Sequence, residues 1–212
     1  MKNLYCFFFF LILCMLVSLP VQAKISIGIT GGLNRSTLIS DPEGLLHITD
    51  KDYFIIGAEG AYELDNHFSA GLSVLYFGKG CHFTIEGQDD VQATFDLEYI
   101  QLPVTVNYSL KLPFIIPYIS VGFFYEHNVS AQLTYKGSDF INQSDVKDDV
   151  MDSNYGYLIG CGFKRKEGKL IFLIGASYSR GLQSLYDMDF NADSTLKTQG
   201  IQLFAGIKYL IL

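Results

Sequence analysis

The stretch Tyr99 to Tyr125, YIQLPVTVNYSLKLPFIIPYISVGFFY, limits what this chain can fold into more than any other. Its first arm alternates Ile100, Leu102, Val104, Val106 and Tyr108 with Tyr99, Gln101, Pro103, Thr105 and Asn107, and its second alternates Ile119, Val121, Phe123 and Tyr125 with Ser120, Gly122, Phe124 and Glu126. A period of two belongs to a β-strand with unlike faces. The turn Leu110 to Pro117 joins the arms as an antiparallel pair. A strand of a soluble sandwich places Lys and Glu on its wet side, whereas here that side is mostly Ser, Gly, Thr, Gln and Asn, suited to a narrow enclosed space. The contrast implies a barrel with lipid outside. Pro103 cannot donate to a ladder, so a bulge or local defect is expected there.

Similar units recur along the chain. Strands are predicted at Ile25 to Asn34, Asp52 to Leu64, Phe68 to Phe83, Tyr155 to Phe163, Leu170 to Arg180 and Thr198 to Leu212, each with one apolar or aromatic row. The links after the first, third, fifth and seventh strands are long and polar. Arg35 to Lys51, Glu86 to Gln92, Lys136 to Asp152 and Gly181 to Lys197 fill them, while the alternate links are short. Long loops at one end and tight turns at the other mark an outer-membrane barrel. The fold class expected is therefore all-β, an eight-stranded antiparallel up-and-down transmembrane β-barrel with both chain ends in the periplasm.

Composition agrees with that placement. The chain has 212 residues, enough for one sizeable domain, and is 49% hydrophobic with no Trp, yet after residue 23 its apolar character is dispersed in alternation. No run there approaches the roughly 20 residues of a transmembrane helix. Residues 1–23 read as a cleaved secretory signal: Lys2 opens it, Phe7 to Leu19 is its apolar core, and the small residue Ala23 precedes a cut before Lys24. The barrel then occupies 24–212. An uncleaved anchor would need a longer apolar run, and lipid attachment at Cys14 would need a small residue before it in place of Leu13. The formal charge is −7, or −8 once Lys2 leaves with the signal, which gives nucleic-acid binding no support. Cys81 and Cys161 are left in the mature chain, far apart in sequence and without metal spacing; two unpaired thiols are expected.

Two stretches together resemble the PorT-like outer-membrane β-barrel family. One is Gly57 to Gly80, GAEGAYELDNHFSAGLSVLYFGKG; the other is Tyr99 to Tyr108, YIQLPVTVNY, where that family has a Tyr-x-x-x-Pro strand. The resemblance continues through Pro117 to Tyr125 and the final hairpin. It implies an eight-stranded outer-membrane barrel without a known reaction, and a founding member associated with protein secretion to the cell surface. Such barrels usually finish on an aromatic residue, whereas this sequence finishes Tyr209-Leu210-Ile211-Leu212, from which a weaker assembly signal is expected.

The expected role is a non-enzymatic barrel in contact with outer-membrane lipid, meeting envelope or secretion proteins through its loops and carrying no cofactor. An alternative class is a lipid- or peptide-modifying barrel enzyme. For that reading His47, His82 and His127 map to the external rim, Ser177-Tyr178-Ser179-Arg180 ends a strand, and Asp148-Asp149 and Asp187-x-Asp189 lie in loops. No His-x-x-x-His or GxSxG spacing organises them. A soluble lipocalin-type barrel would need a charged outer face, which the alternation denies. Tyr62, Tyr76, Tyr108, Tyr125, Tyr155, Tyr178 and Tyr209 sit towards strand ends, where aromatic girdles form. Alternation also places Glu59, Lys79, Glu126 and Lys208 on the inward face with Ser73, Gln101, Thr105, Asn107 and Gln202. Charges in so narrow a lumen are expected to pair into a plug that blocks flow.

Overall fold

A lipid-exposed sheet must satisfy every backbone group within itself, which requires closure. The computed structural model, which describes residues 24–41, 46–85, 92–136, 141–185 and 195–211, meets that requirement with β1 (Ile25–Asp41), β2 (Leu46–Glu63), β3 (Phe68–Ile85), β4 (Gln92–Ser109), β5 (Ile116–Lys136), β6 (Ile141–Asp145), β7 (Ser153–Glu167), β8 (Leu170–Gly181) and β9 (Thr195–Leu210). Each strand pairs antiparallel with the next around the ring, β5 pairs β7, and β9 returns to β1 from Ser26↔Leu210 to Asp41↔Thr195. The result is a closed eight-stranded antiparallel barrel. β6 stands apart from the ring and adds to the outer end of β5, from Gln132↔Asp145 to Lys136↔Ile141.

The apolar rows face outwards. Phe54, Ile56, Val104, Ile119, Phe123 and Ile174 are among the exposed large side chains, while their chain neighbours on the other face are covered. Rows such as Ile25 to Leu33, Phe54 to Tyr62, Ile100 to Tyr108 and Ile201 to Tyr209 each run about nine residues, the length with which a tilted strand crosses the hydrocarbon core. Tyr62, Tyr108 and Tyr209 mark the lower edge of this band, and Tyr76, Tyr125, Tyr155 and Tyr178 the upper edge. Beyond the upper edge Arg35, Asp52 and Glu98 replace apolar residues on the outer face.

Several strands run past the membrane, contrary to the sequence reading. Much of Arg35 to Lys51 is strand rather than loop, since β1 reaches Asp41 and β2 begins at Leu46. Lys136 to Asp152 likewise holds β6 and a 3-10 turn at Lys147–Asp149. These parts stand in water, so their outer faces carry no apolar row to betray the period. At Pro103 the irregularity is a lapse in the ladder: β3 and β4 pair at Leu72↔Val104 and again at Leu75↔Gln101 in the same register. The bulge of the β4–β5 pair lies higher and on β5: Glu98 pairs with Ser130 and Tyr99 with Asn128, which leaves Val129 as the extra residue.

A second irregularity shapes the external part. The β2–β3 register shifts between Asp50 and Ile55, and β1 side chains reach past β2 to groups on β3. Asn34 Nδ2 donates to the Gly78 carbonyl at 2.8 Å; Ser36 Oγ donates to the Gly80 carbonyl at 3.1 Å and accepts from the Gly80 N–H at 2.9 Å. Tyr53 lies against Gly78, where any Cβ would meet its ring at 2.2 Å, and donates to Asp96 at 2.5 Å. Asp96 also takes Lys51 at 2.5 Å. Residues 1–23, including the Ala23 side of the expected cleavage site, lie outside the described residues, as do Asp187 and Asp189.

Candidate functional site

The inward rows fill the barrel in layers. Along β3 the inward order from the outside is Cys81, Lys79, Phe77, Leu75 and Ser73; along β5 it is Asn128, Glu126, Phe124, Gly122 and Ser120. Because β3 and β5 both flank β4, the long Lys79 side chain can cross to Glu126. Its Nζ lies 2.9 and 2.8 Å from the two carboxylate oxygens and 3.3 Å from Thr198 Oγ1. Gln101 Nε2 and Asn154 Nδ2 donate to the same carboxylate at 3.0 and 2.9 Å. Lys79 and Glu126 are 1% and 0% exposed, so the pair has left water entirely. Such a pair is tolerable only when its hydrogen-bonding capacity is met. Three rings complete the enclosure: Phe77, Tyr99 and Phe124 have centroids 5.5, 5.4 and 5.3 Å from the ammonium.

An apolar cluster of Leu38, Cys81, Phe95, Leu97, Tyr99, Ala131, Val150 and Leu185 packs in the external part of the barrel. Burial pushes the Cys81 thiol up to about 12, so it is an inert packing group. Cys161 is exposed on the outer row of β7, and both cysteines are free.

Below the first pair Ile55, Leu75 and Phe77 form an apolar layer, and beneath it lies the second pair. Lys208 Nζ is 3.1 Å from Glu59 Oε2, their side chains 11% and 13% exposed. The two belong to strands on either side of β1, and the residue between them, Gly28, leaves the path clear. A Cβ there would meet the Ile207 carbonyl at 2.1 Å. Unlike Glu126, Glu59 keeps one oxygen, Oε1, without a partner. The pair borders a cavity of about 100 Å³ with Thr30, Asn107, Tyr118, Lys164 and Gln202 on its wall.

Lys79 with Glu126 and Lys208 with Glu59 are thus two pairs, separated by an apolar layer. Sequence reading missed Asn154 and Thr198 as members of the upper pair's surroundings. Starting the sixth predicted strand one residue earlier would have put Asn154 on the inward row; Thr198 already had that parity.

The rim candidates for chemistry are dispersed. His82 Nδ1 is 2.8 Å from Thr94 Oγ1, His47 pairs with Thr84 in the ladder, and His127 stands on β5 opposite Ile100. Among the described residues no group of three His, Cys, Asp or Glu is placed to hold a metal. Ser177 and Ser179 turn inwards and are buried; Ser177 Oγ donates to Gln202 Oε1 at 3.1 Å, with no base beside it in that bond. Asp148 and Asp149 belong to the 3-10 turn.

The model of a family described as outer membrane protein beta-barrel domain matches residues 19–187. No curated protein matches the chain. Among solved structures, the outer membrane protein OprG from Pseudomonas aeruginosa is similar at 12% identity and a TM-score of 0.53, covering 89% of this chain and 96% of that one. Ail, the attachment invasion locus protein of Yersinia pestis, solved with the heparin analogue sucrose octasulfate, is 17% identical with a TM-score of 0.46, covering 88% of this chain and 99% of that one. At that identity the likeness to OprG is one of fold.

Proposed function

Because this chain belongs to the outer membrane protein beta-barrel domain family and resides in the outer membrane, we propose that it acts as a sealed, non-enzymatic barrel whose work is done at its external face. The observation that carries the proposal is the Lys79–Glu126 pair, fully buried between an apolar layer and the external apolar cluster. A lumen stopped in this way does not conduct solutes, and an eight-stranded interior is normally filled by side chains. What faces the outside is the strand extension above the membrane, including the outer ends of β4 and β5 with β6, all of whose residues are exposed. This surface is offered to a partner or to the surface layer. The catalytic alternative has less support, since the rim histidines occupy separate positions and Ser177 is engaged by Gln202.

At finer grain, the motifs Gly57 to Gly80 and Tyr99 to Tyr108 support a PorT-like assignment, and through it protein-secretion components of the envelope as the partner class. We also propose that residues 1–23 are removed between Ala23 and Lys24. Two experiments test the reading. Purified barrel in planar bilayers is expected to give no stable channels, and conductance near that of a porin would overturn the seal. Affinity capture from intact membranes, with a tag in the segment Lys136 to Asp152, is expected to recover secretion components; recovery of lipid alone would remove the secretion link.

A further inference from the structure

The outward apolar rows do not all stop at the lower girdle. Of the three lower turns, the one from Leu64 to His67 is ordered by Asp65, which accepts from the N–H groups of His67 and Phe68, and the one between Glu167 and Leu170 is Gly168-Lys169. The third, between β4 and β5, reads Leu110-Lys111-Leu112-Pro113-Phe114-Ile115. Its apolar side chains are at the surface: Leu110, Leu112 and Ile115 are exposed, and Phe114 is 88% exposed. Leu110 and Leu112 prolong the outward parity of Val106 and Tyr108, as Ile115 prolongs that of Pro117 and Ile119. Lys111 has the other parity, and its Nζ donates to Asn66 Oδ1 at 3.1 Å. One apolar face therefore runs from the lipid-facing belt past Tyr108 and on to the tip of this turn. An exposed apolar patch of this kind marks a surface that meets something other than water.

Continuity with the belt says what covers it. Beyond the hydrocarbon each leaflet has a headgroup zone about 5–7 Å deep, and Leu110, two positions past Tyr108 on a tilted strand, lies only about 5 Å lower. The charges at this level suit that zone. β5 and β7 pair at Pro117↔Phe163 and Ile116↔Lys164, so the next residue of β7, Arg165, comes level with Ile115. Arg165 is exposed and bound to Glu167 at 2.7 Å, Lys166 is exposed, and Lys169 lies over the Tyr209 ring at 5.7 Å. Long cations beside an apolar turn match a layer that offers both acyl chains and phosphates. We infer that the turn from Leu110 to Ile115 is an interfacial anchor, lying in the headgroup zone of the periplasmic leaflet with its apolar side chains against phospholipid. The anchor is one-sided: the β4–β5 side of the barrel holds the leaflet beyond the girdle and the two polar turns do not. It concerns the end opposite the external face and does not rest on the sealed-barrel reading.

The chain has no Trp, so Phe114→Trp places a single fluorescent reporter at the tip. The whole folded barrel with Phe114→Trp or, as the water-exposed reference, with Lys166→Trp is reconstituted alone in vesicles of phosphatidylcholine and phosphatidylglycerol. Their acyl chains are either plain or brominated close to the glycerol. Phe114→Trp is expected to emit to the blue of the reference, to lose intensity in brominated lipid and to be protected from acrylamide; the reference is expected to show the reverse. Leu112→Trp, on the same face, is expected to behave as Phe114→Trp and replaces it if migration of unheated gel samples shows that variant unfolded. Emission that acrylamide quenches and brominated lipid leaves unchanged would overturn the anchor. Blue-shifted emission that neither quencher reduces would overturn it too, since the turn would then be covered by protein, a second copy of this chain.

Discussion

The pairs Lys79–Glu126 and Glu59–Lys208 stand in the same lumen, yet they meet different surroundings. The upper pair is shut from water, with three rings around the ammonium and two amide donors on the carboxylate. The lower pair is slightly exposed, sits beside a cavity, and leaves Glu59 Oε1 unengaged. Similar ions therefore do different jobs. Above, the protein supplies every partner; below, one carboxylate oxygen has none and a cavity lies alongside. Burial decides which behaviour a given pair shows, since desolvation turns a missing partner from an inconvenience into a large penalty.

The largest effect should follow from breaking the upper pair. Lys79→Met strands the Glu126 carboxylate at full burial, and a destabilisation of about 3–5 kcal/mol is expected, read as a lower urea midpoint for the folded band in unheated gel samples. Replacing both partners, Lys79→Met with Glu126→Leu, should recover most of that loss, because the apolar layers on either side accept apolar side chains. If the double variant is no better than the single one, the penalty does not come from the stranded carboxylate and the contrast with the lower pair fails.

At the lower pair the loss should be smaller. Lys208→Met leaves Glu59 beside a cavity that water can fill, and about 1–3 kcal/mol is expected. Lys166→Met, in an exposed part of β7 near the turn, should stay within about 0.5 kcal/mol. Negligible effects from both would remove Lys208 as a stabilising partner and, with it, the inward register of β9. A loss at Lys208 as large as that at Lys79 would mean that the lower cavity is dry.

These pairs also show which parts of the structure could be read from the chain. The barrel was legible because lipid on one side and a narrow lumen on the other force unlike residues onto alternating positions, as at Ile100 to Tyr108. Strand ends were not. Above the membrane the outer face meets water, so Arg35, Asp52 and Asp96 carry the same pattern as a loop. The choice of partners was not legible either. Lys79 reaches Glu126 across β4 and Glu59 reaches Lys208 across β1, pairings fixed by the stagger of the strands, which periodicity does not reveal. β6 escaped notice for a further reason: five residues, all exposed, leave no buried face to detect.

A third pair extends the series to full exposure and should give the smallest effect. On the external rim Arg35 donates to both oxygens of Asp52, at 2.8 and 2.9 Å, with side chains 63% and 51% exposed. The hydrogen bond from the Arg35 guanidinium holds the Asp52 carboxyl below the usual carboxylate range. A depressed carboxylate contributes stability that is fully present above its unfolded value, about 3.9, and is lost as pH falls through the folded value. Asp52→Asn should therefore differ only slightly from the unsubstituted protein at pH 7, and the difference should vanish once the pH has fallen through the folded value of Asp52. It should also shrink in 1 M salt, where screening acts over about 3 Å, whereas the deficit of Lys79→Met, buried out of reach of salt, should persist. An Asp52→Asn deficit that resists both acid and salt would place this pair in sheltered surroundings, and exposure would no longer rank the three.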